Sequence, residues 1–460
     1  MRIKTGILTA LLVSSVFMII SCGGKEMIND KSQTGSAISP FTNVTLDNGL
    51  DVIVKEVHST PIVAVYLWCN TGSINETERE QGISHFYEHM FFKGTEKRGV
   101  GEIDRVIKSL GGYNNAFTSK EYTAYYVVMP SENFNLAADV LIDAIRNSSF
   151  PQEEIEKELG VIKEEINRKE DNPTGKLYED LFEVMFEGTP YEHAVLGSKE
   201  SVSGITRDDF KSYLDTFYVP NNMTAVVVGD VNADEAIKEI ERLTQGWKPN
   251  PDVASRLASF TVAKAEGIKS YEVEKDVNMS YVMMAFQTSG YMDKDENAAL
   301  DVMSSVLGEG RSSRLYLRLV EEEQLVSSVQ AFIYPLIHSG LFVVFATMDA
   351  ASIPQFREAI IEEMNKLRNT PLAQDELKKV QTMLKADYQF SNETDSDIAH
   401  TLGFYNTLNM LDRVTSYENS IDAISVSDVQ KYAQKVLDPE SYTLGIIKQR
   451  TSDDSEAPNE

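Results

Sequence analysis

The chain has 460 residues, 42% of them hydrophobic and 25% charged, and 71 acidic against 43 basic side chains leave a formal net charge of −28. That composition excludes a wholly disordered chain, because there is enough apolar surface to build cores, and the length favours two domains of about 200 residues each over one. The acidic balance argues against a nucleic-acid partner, whose phosphates need clustered Lys and Arg, and two cysteines are too few for a disulfide framework or a four-cysteine zinc site.

In chain order, Arg2 and Lys4 precede an apolar run from Ile7 to Ile20 that is too short and too early for an ordinary spanning helix. This pattern predicts a signal peptide over residues 1–21. Its end, Ile19-Ile20-Ser21-Cys22, resembles the bacterial lipobox. The resemblance implies that Cys22 is acylated and that the exported protein is held at the bacterial cell envelope, facing the periplasm or the cell surface, through lipid alone. Residues 22–41 are polar and read as a flexible tether. The last ten residues, 451–460, read as an acidic tail.

Between these ends the sequence carries its own duplication. Val202–Pro220 can be laid on Ile421–Pro439 at a constant offset of 219, with Asp209 falling on Asp428 and Tyr213 on Tyr432. Each copy predicts a helix capped at or beside Thr206 or Ser425 and stopped by a proline, then a strand: 224–228 in one half, 442–447 in the other. Earlier in each half come a strand, a polar loop and a helix: 62–68, 70–81 and 82–92, then 280–287, 288–295 and 296–307. Cys69 closes the first of these apolar strands and is expected to be a buried thiol. The pattern predicts two homologous α+β domains, 42–246 and 260–450, joined at 247–259 where Pro249 and Pro251 break both helix and strand. Each is expected to be a mainly antiparallel sheet with helices packed on one side.

The helix at 82–92 reads Gly-Ile-Ser-His-Phe-Tyr-Glu-His-Met-Phe-Phe. At 100° per residue, Glu88 lies about 60° to one side of His85 and His89 about 40° to the other, while Ile83, Phe86, Tyr87 and Met90 lie roughly opposite. One face thus carries two imidazoles and a carboxylate, and the other is core. Histidines one turn apart can both bind one zinc ion, with the carboxylate beside the attacking water. The order His-x-x-Glu-His is that of the inverted zinc-peptidase motif. Catalytic zinc takes three protein ligands, and His58, His193, His338 and His400 lie at unrelated places. The acidic helix over 153–170 offers carboxylates instead. Its apolar stripe is Ile155, Leu159, Ile162 and Ile166. Glu164 lies about 180° from that stripe and is expected in water, whereas Glu158 and Glu165 border it and can look into a site.

This set resembles the pitrilysin/insulysin/mitochondrial-processing-peptidase family, as half-length, lipoprotein-type members. The resemblance rests on His85-Phe86-Tyr87-Glu88-His89, with Glu165 76 residues beyond His89 and Glu158 seven before Glu165. Asn115-Ala116-Phe117-Thr118 with Tyr122–Tyr126, Tyr218–Met223 with Val228-Gly229-Asp230, and the Gly-rich turn Gly308–Tyr316 extend it over nearly all of the chain after Cys22. It implies a zinc metalloendopeptidase acting on peptides or small unfolded proteins inside a chamber, each chain forming half of a clamshell. His85, His89 and Glu165 would bind one Zn²⁺ per chain, Glu88 would be the general base, and Glu158 would orient a ligand or the water. Asn115, Ala116 and Thr118 would receive an extended substrate. Self-sufficient members carry an Arg and, seven residues later, a Tyr that hold the substrate. Placed by Glu323-Gln324-Leu325-Val326, those positions are Val320 and Ser327 here. The resemblance therefore implies a homologous partner chain supplying Arg and Tyr, or else a homodimer using Arg314 or Tyr316. An inactive peptide-binding scaffold of the same fold is the competing reading.

Overall fold

Residues 62–69 are apolar at every position, a pattern that suits a strand covered on both faces. In the computed structural model, which describes residue 38 and residues 40–450, they form an interior strand of a six-stranded sheet. Its strands are β1 (Thr42–Thr45), β2 (Asp51–Glu56), β3 (Ile62–Cys69), β4 (Tyr113–Thr118), β5 (Thr123–Pro130) and β6 (Met223–Gly229), in the order β1-β2-β6-β3-β5-β4. The second sheet has β7 (Ile268–Lys275), β8 (Ser280–Thr288), β9 (Ser328–Pro335), β10 (Gly340–Met348) and β11 (Tyr442–Gln449), in the order β7-β11-β8-β10-β9. With β1 set aside, the two orders are the same. Each sheet has one parallel pair, β2 with β6 and β7 with β11, and is otherwise antiparallel.

The repeated helices are Arg207–Phe217 and Val426–Val436. Thr206 and Ser425 are their N-caps, and each exchanges reciprocal bonds with an aspartate three residues on, Asp209 or Asp428. Such a box satisfies helix-end amides that otherwise have no partner.

Each sheet carries its own half's helices on one face, as the sequence implies. Val63, Val65, Leu67 and Cys69 share a core with Ile83, Phe86, Tyr87, Leu141 and Phe210. Val282, Met284 and Phe286 do the same with Val302, Met303, Ile360 and Val429. The opposite faces show what the linear pattern did not reveal. Ala64, Tyr66 and Trp68 are covered by Ile398, Ala399 and Leu402, which belong to the helix Asp395–Thr407 of the second half. Met283 and Ala285 are covered by Leu177, Leu181 and Phe182, from the helix Pro173–Met185 of the first half. The halves exchange one helix each. Polar bonds fix the exchange: Tyr66 OH to Ser396 Oγ at 2.7 Å, Asn406 Nδ2 to Thr224 Oγ1 at 2.9 Å, and Tyr271 OH to Leu177 O at 2.5 Å.

The segment read as a signal peptide, Cys22, most of the segment read as a tether and the residues 451–460 read as a tail lie outside the described residues. Within the segment read as tether, Ile38 is fully buried and packs with Ile53, Tyr66 and Val226, with Phe41 alongside. An apolar side chain among polar ones is enough to anchor that stretch on the sheet. The joining segment is also packed: it carries the short helix Val253–Arg256, and Val253 enters the first-half core.

The exchanged helix leaves no space over Trp68, because a Cβ at Gly403 would overlap the indole ring at Nε1 and Cδ1. Gly403→Ala is therefore expected to destabilise the fold by about 1–3 kcal/mol. Gly160, in the interior of the helix Gln152–Asp171, has open space at its Cβ position, so Gly160→Ala is expected to stabilise by about 0.5–1 kcal/mol. Shifts of the urea midpoint in opposite directions are the check.

Candidate metal centre and active site

The site is built on the helix Ile83–Phe91. Its N-cap is Gly82 at φ +92°, where a Cβ would lie 2.6 Å from Leu196 O and 2.7 Å from Val202 Cγ1, so only glycine fits. No local side chain caps this helix. The carboxylate of Glu76, from the preceding loop, does so instead: Oε2 accepts the Gly82 N–H at 2.7 Å and Oε1 the Ser84 N–H at 2.8 Å. Burial pushes its carboxyl up to about 7, against the pull of these bonds. Ser84 Oγ also pairs with Tyr213 OH at 2.7 Å. Glu76 was not legible as a capping residue, because the cap comes from a loop and not from the usual three-residue spacing.

Ile83, Phe86, Tyr87 and Met90 point into the core, leaving His85, Glu88 and His89 on the other face. The helix Gln152–Asp171 packs across that face, with Ile155, Ile162 and Ile166 buried. Glu165 comes to the two imidazoles: its Oε2 lies 3.6 Å from His85 Nε2 and 3.4 Å from His89 Nε2. Glu158 Oε2 lies 3.0 Å from His89 Nδ1, and Lys93 Nζ lies 2.6 Å from Glu158 Oε1. Glu164 points away and its side chain is 57% exposed. Of the two glutamates that helical phase left open, Glu165 lies on the Nε2 side of both rings and Glu158 behind one of them.

Burial, then the neighbouring His89, pushes the His85 imidazole down to about 3. Burial acts on His89 in the same sense, but hydrogen bonds to Glu158 and Glu165 outweigh it and lift His89 to about 9. Glu158 and Glu165 are both held below the usual carboxylate range: burial opposes this, and it is outweighed by the bonds to His89 in both and, in Glu158, by Lys93 as well. Glu88 is shifted the other way by burial, although Thr118 Oγ1 donates to its Oε2 at 2.5 Å.

These donors suit zinc. One donor atom from each of His85, His89 and Glu165 lies within 4.8 Å of the other two, and among the described residues this is the group that converges in this way. Ligands about 2.0–2.1 Å from a tetrahedral ion stand roughly 3.3 Å apart, close to the separations of 3.4 and 3.6 Å seen here. Two imidazoles and a carboxylate form a usual catalytic donor set. With Nδ1–H given to Glu158, Nε2 is the His89 nitrogen that can offer a lone pair to a metal, which would replace the proton it shares with Glu165.

The other candidates fall along β4, which among the described residues pairs with β5 alone and so has one open edge. Asn115 is exposed and Ala116 half-buried on that strand, and Asn115 Oδ1 accepts the Ala116 N–H at 2.9 Å. Thr118 was expected to meet substrate, but its hydroxyl is turned inward onto Glu88. A strand pattern says which face a threonine takes but not which helix lies behind it. In the second half, Arg314 forms a two-pronged pair with Glu376 at 2.8 and 2.7 Å. Arg318 is held by Glu323, Glu362 and Glu363.

The geometry ranks the three carboxylates by zinc affinity. Glu165→Gln is expected to lose zinc, Glu158→Gln to weaken it about 10–100-fold, and Glu164→Gln to leave it unchanged. Titration against a competing chelator measures all three.

Known proteins resemble this chain in family and in fold. The family model described as Insulinase (Peptidase family M16) matches residues 51–199, and the model described as Peptidase M16 inactive domain matches 204–384. A protein of Rickettsia bellii described as an uncharacterized zinc protease is 31% identical over 77% of this chain and 84% of its own. A probable mitochondrial-processing peptidase subunit beta of Arabidopsis thaliana is 30% identical over 89% of this chain and 78% of its own. The crystal structure of a protease from Helicobacter pylori superposes with a TM-score of 0.83 at 28% identity, covering 89% of this chain and 99% of that one. The two matched models together span more than half of the sequence, and the chain belongs to peptidase family M16.

Proposed function

We propose that this chain is a zinc-dependent endopeptidase that cleaves peptides or small unfolded proteins in an enclosed chamber, with a homologous partner chain completing the site. The observation that carries the reading is the convergence of His85, His89 and Glu165 with Glu88 on the same helix face. When bound, zinc polarises the scissile carbonyl and acidifies water. His85, His89 and Glu165 hold it, and Glu158 fixes the His89 ring. Glu88 takes the proton of the attacking water and passes it to the leaving amine. Its raised proton affinity suits both halves of that task, and Thr118 restrains one of its oxygens while the other is left to work. The open edge of β4 supports an extended substrate added as a further strand, which would displace the local bond between Asn115 and the Ala116 N–H.

The partner follows from what the second half lacks. Val320 offers no donor, and the Ser327 hydroxyl is too short to reach across a chamber. Arg314, one of the two residues that the homodimer alternative would use, is already committed to Glu376 within the same half, which leaves that alternative resting on Tyr316. A partner carrying Arg and Tyr would restore transition-state stabilisation of about 10²–10³ in rate.

The test is a peptide-cleavage assay with and without copurified homologous chains. The chain alone is expected to bind one zinc and to cleave weakly, and the pair to cleave well. Glu88→Gln is expected to keep zinc and lower turnover about 10²–10⁴-fold. Full activity of the isolated chain contradicts the split site, and normal turnover in Glu88→Gln contradicts the role of the base.

The same proposal places the protein on the bacterial cell envelope through acylated Cys22. Mass spectrometry of the mature protein is expected to show a lipid-modified Cys22 at its N-terminus, and Cys22→Ser is expected to release the protein from membranes or leave residues 1–21 attached.

A further inference from the structure

Lys93 follows the site helix closely, two residues past its last residue, Phe91, and next to its C-cap, Phe92. Its Nζ lies 2.6 Å from Glu158 Oε1, and the other oxygen of that carboxylate lies 3.0 Å from His89 Nδ1. The Glu158 side chain is 12% exposed and that of Lys93 30%, so both have given up most of their water. A carboxylate in such a place must find its counter-charge and donors within the protein. Its own helix supplies none: Lys157 is taken by Glu154 at 2.6 Å, and Glu165 is another acid. Among the described residues, Lys93 and the His89 imidazole are the groups that form ion pairs with Glu158.

We infer that Lys93 is a positioning residue for the metal centre: by holding one oxygen of Glu158 it sets the other against His89 Nδ1, and so fixes the direction of the His89 Nε2 lone pair. This rests on the zinc reading above. Lys93 does not pair with His85, His89 or Glu165, and no proton or bond is transferred; it acts through Glu158. Without the ammonium, the carboxylate keeps a single donor and is free to rotate. The His89 ring then loses the restraint that aims it at the metal.

The experiment uses the full chain, with zinc as the probe. Lys93→Met keeps the apolar stem and removes the charge. It is expected to raise the zinc Kd about 3–10-fold, less than direct loss of the Glu158 carboxylate, and Lys93→Arg is expected to recover most of it. In a Glu158→Gln background, Lys93→Met is expected to have no further effect, because the two act as one unit. An unchanged Kd in Lys93→Met, or an effect that persists in full beside Glu158→Gln, overturns the inference. A second readout needs no metal. The hydrogen-bonded His89 Nδ1–H is expected to give a slowly exchanging, downfield proton resonance in the metal-free protein, and to broaden in Lys93→Met. A wild type that binds no zinc refutes the metallopeptidase reading, and the resonance still judges Lys93: its loss in the variant supports the inference, and its persistence there overturns it.

Discussion

Two sheets whose central strands are apolar on both faces impose the constraint on which the rest of this structure depends. A face carrying Tyr66 and Trp68, or Met283 and Ala285, cannot be left in water, because each large side chain is worth about 1.5–3 kcal/mol on burial. The chain meets that demand by exchange: the helix Asp395–Thr407 crosses to the first sheet and Pro173–Met185 to the second. Neither half can therefore be lifted away intact. The helix Gln152–Asp171, which carries Glu158 and Glu165, runs directly into the exchanged helix Pro173–Met185. The acidic wall of the site is thus fastened at its end to the other half of the molecule.

The site itself is an arrangement of charges that each need a specific neighbour. Five ionisable side chains, His85, Glu88, His89, Glu158 and Glu165, lie in a region mostly withdrawn from solvent, and burial acts on every one of them. Their responses differ because their partners differ. Glu165 leans on His89 and Glu158 on His89 and Lys93, whereas Glu88 leans on a neutral hydroxyl. One helix face and one facing helix thus yield carboxylates with opposite tendencies. A further carboxylate, Glu76, acts at the start of the site helix, where partial positive charge and free amides gather.

Much of this was legible in the sequence, for physical reasons that can be named. Helical periodicity put His85, Glu88 and His89 on one face because a helix turns by a fixed angle, and the same angle set Glu164 apart from Glu158 and Glu165. The duplication showed itself because Thr206 with Asp209 and Ser425 with Asp428 serve one local purpose, capping, that leaves a local trace. The exchange of helices left no such trace. The unbroken apolar run 62–69 demanded cover on both sides, but nothing in it says that the cover lies more than 300 residues away. Loop-borne contacts were invisible for a related reason. Glu76 reaches Gly82 and Ser84, and Thr118 reaches Glu88, along paths that depend on how a loop or a strand edge is turned. Ile38 was hidden by its polar surroundings.

The helix exchange also has a bearing on time. A chain made from its N-terminus presents Trp68 long before residues 395–407 exist, about 330 residues earlier. At roughly 5–20 residues per second, that is about 15–70 s of synthesis. During that interval the outer face of the first sheet has no native cover. The half that carries the candidate site therefore cannot finish folding as an independent unit while the rest is being made. His85, His89 and Glu165 reach their final places only when the second half is nearly complete, so maturation of the candidate site is a late event in the life of each chain.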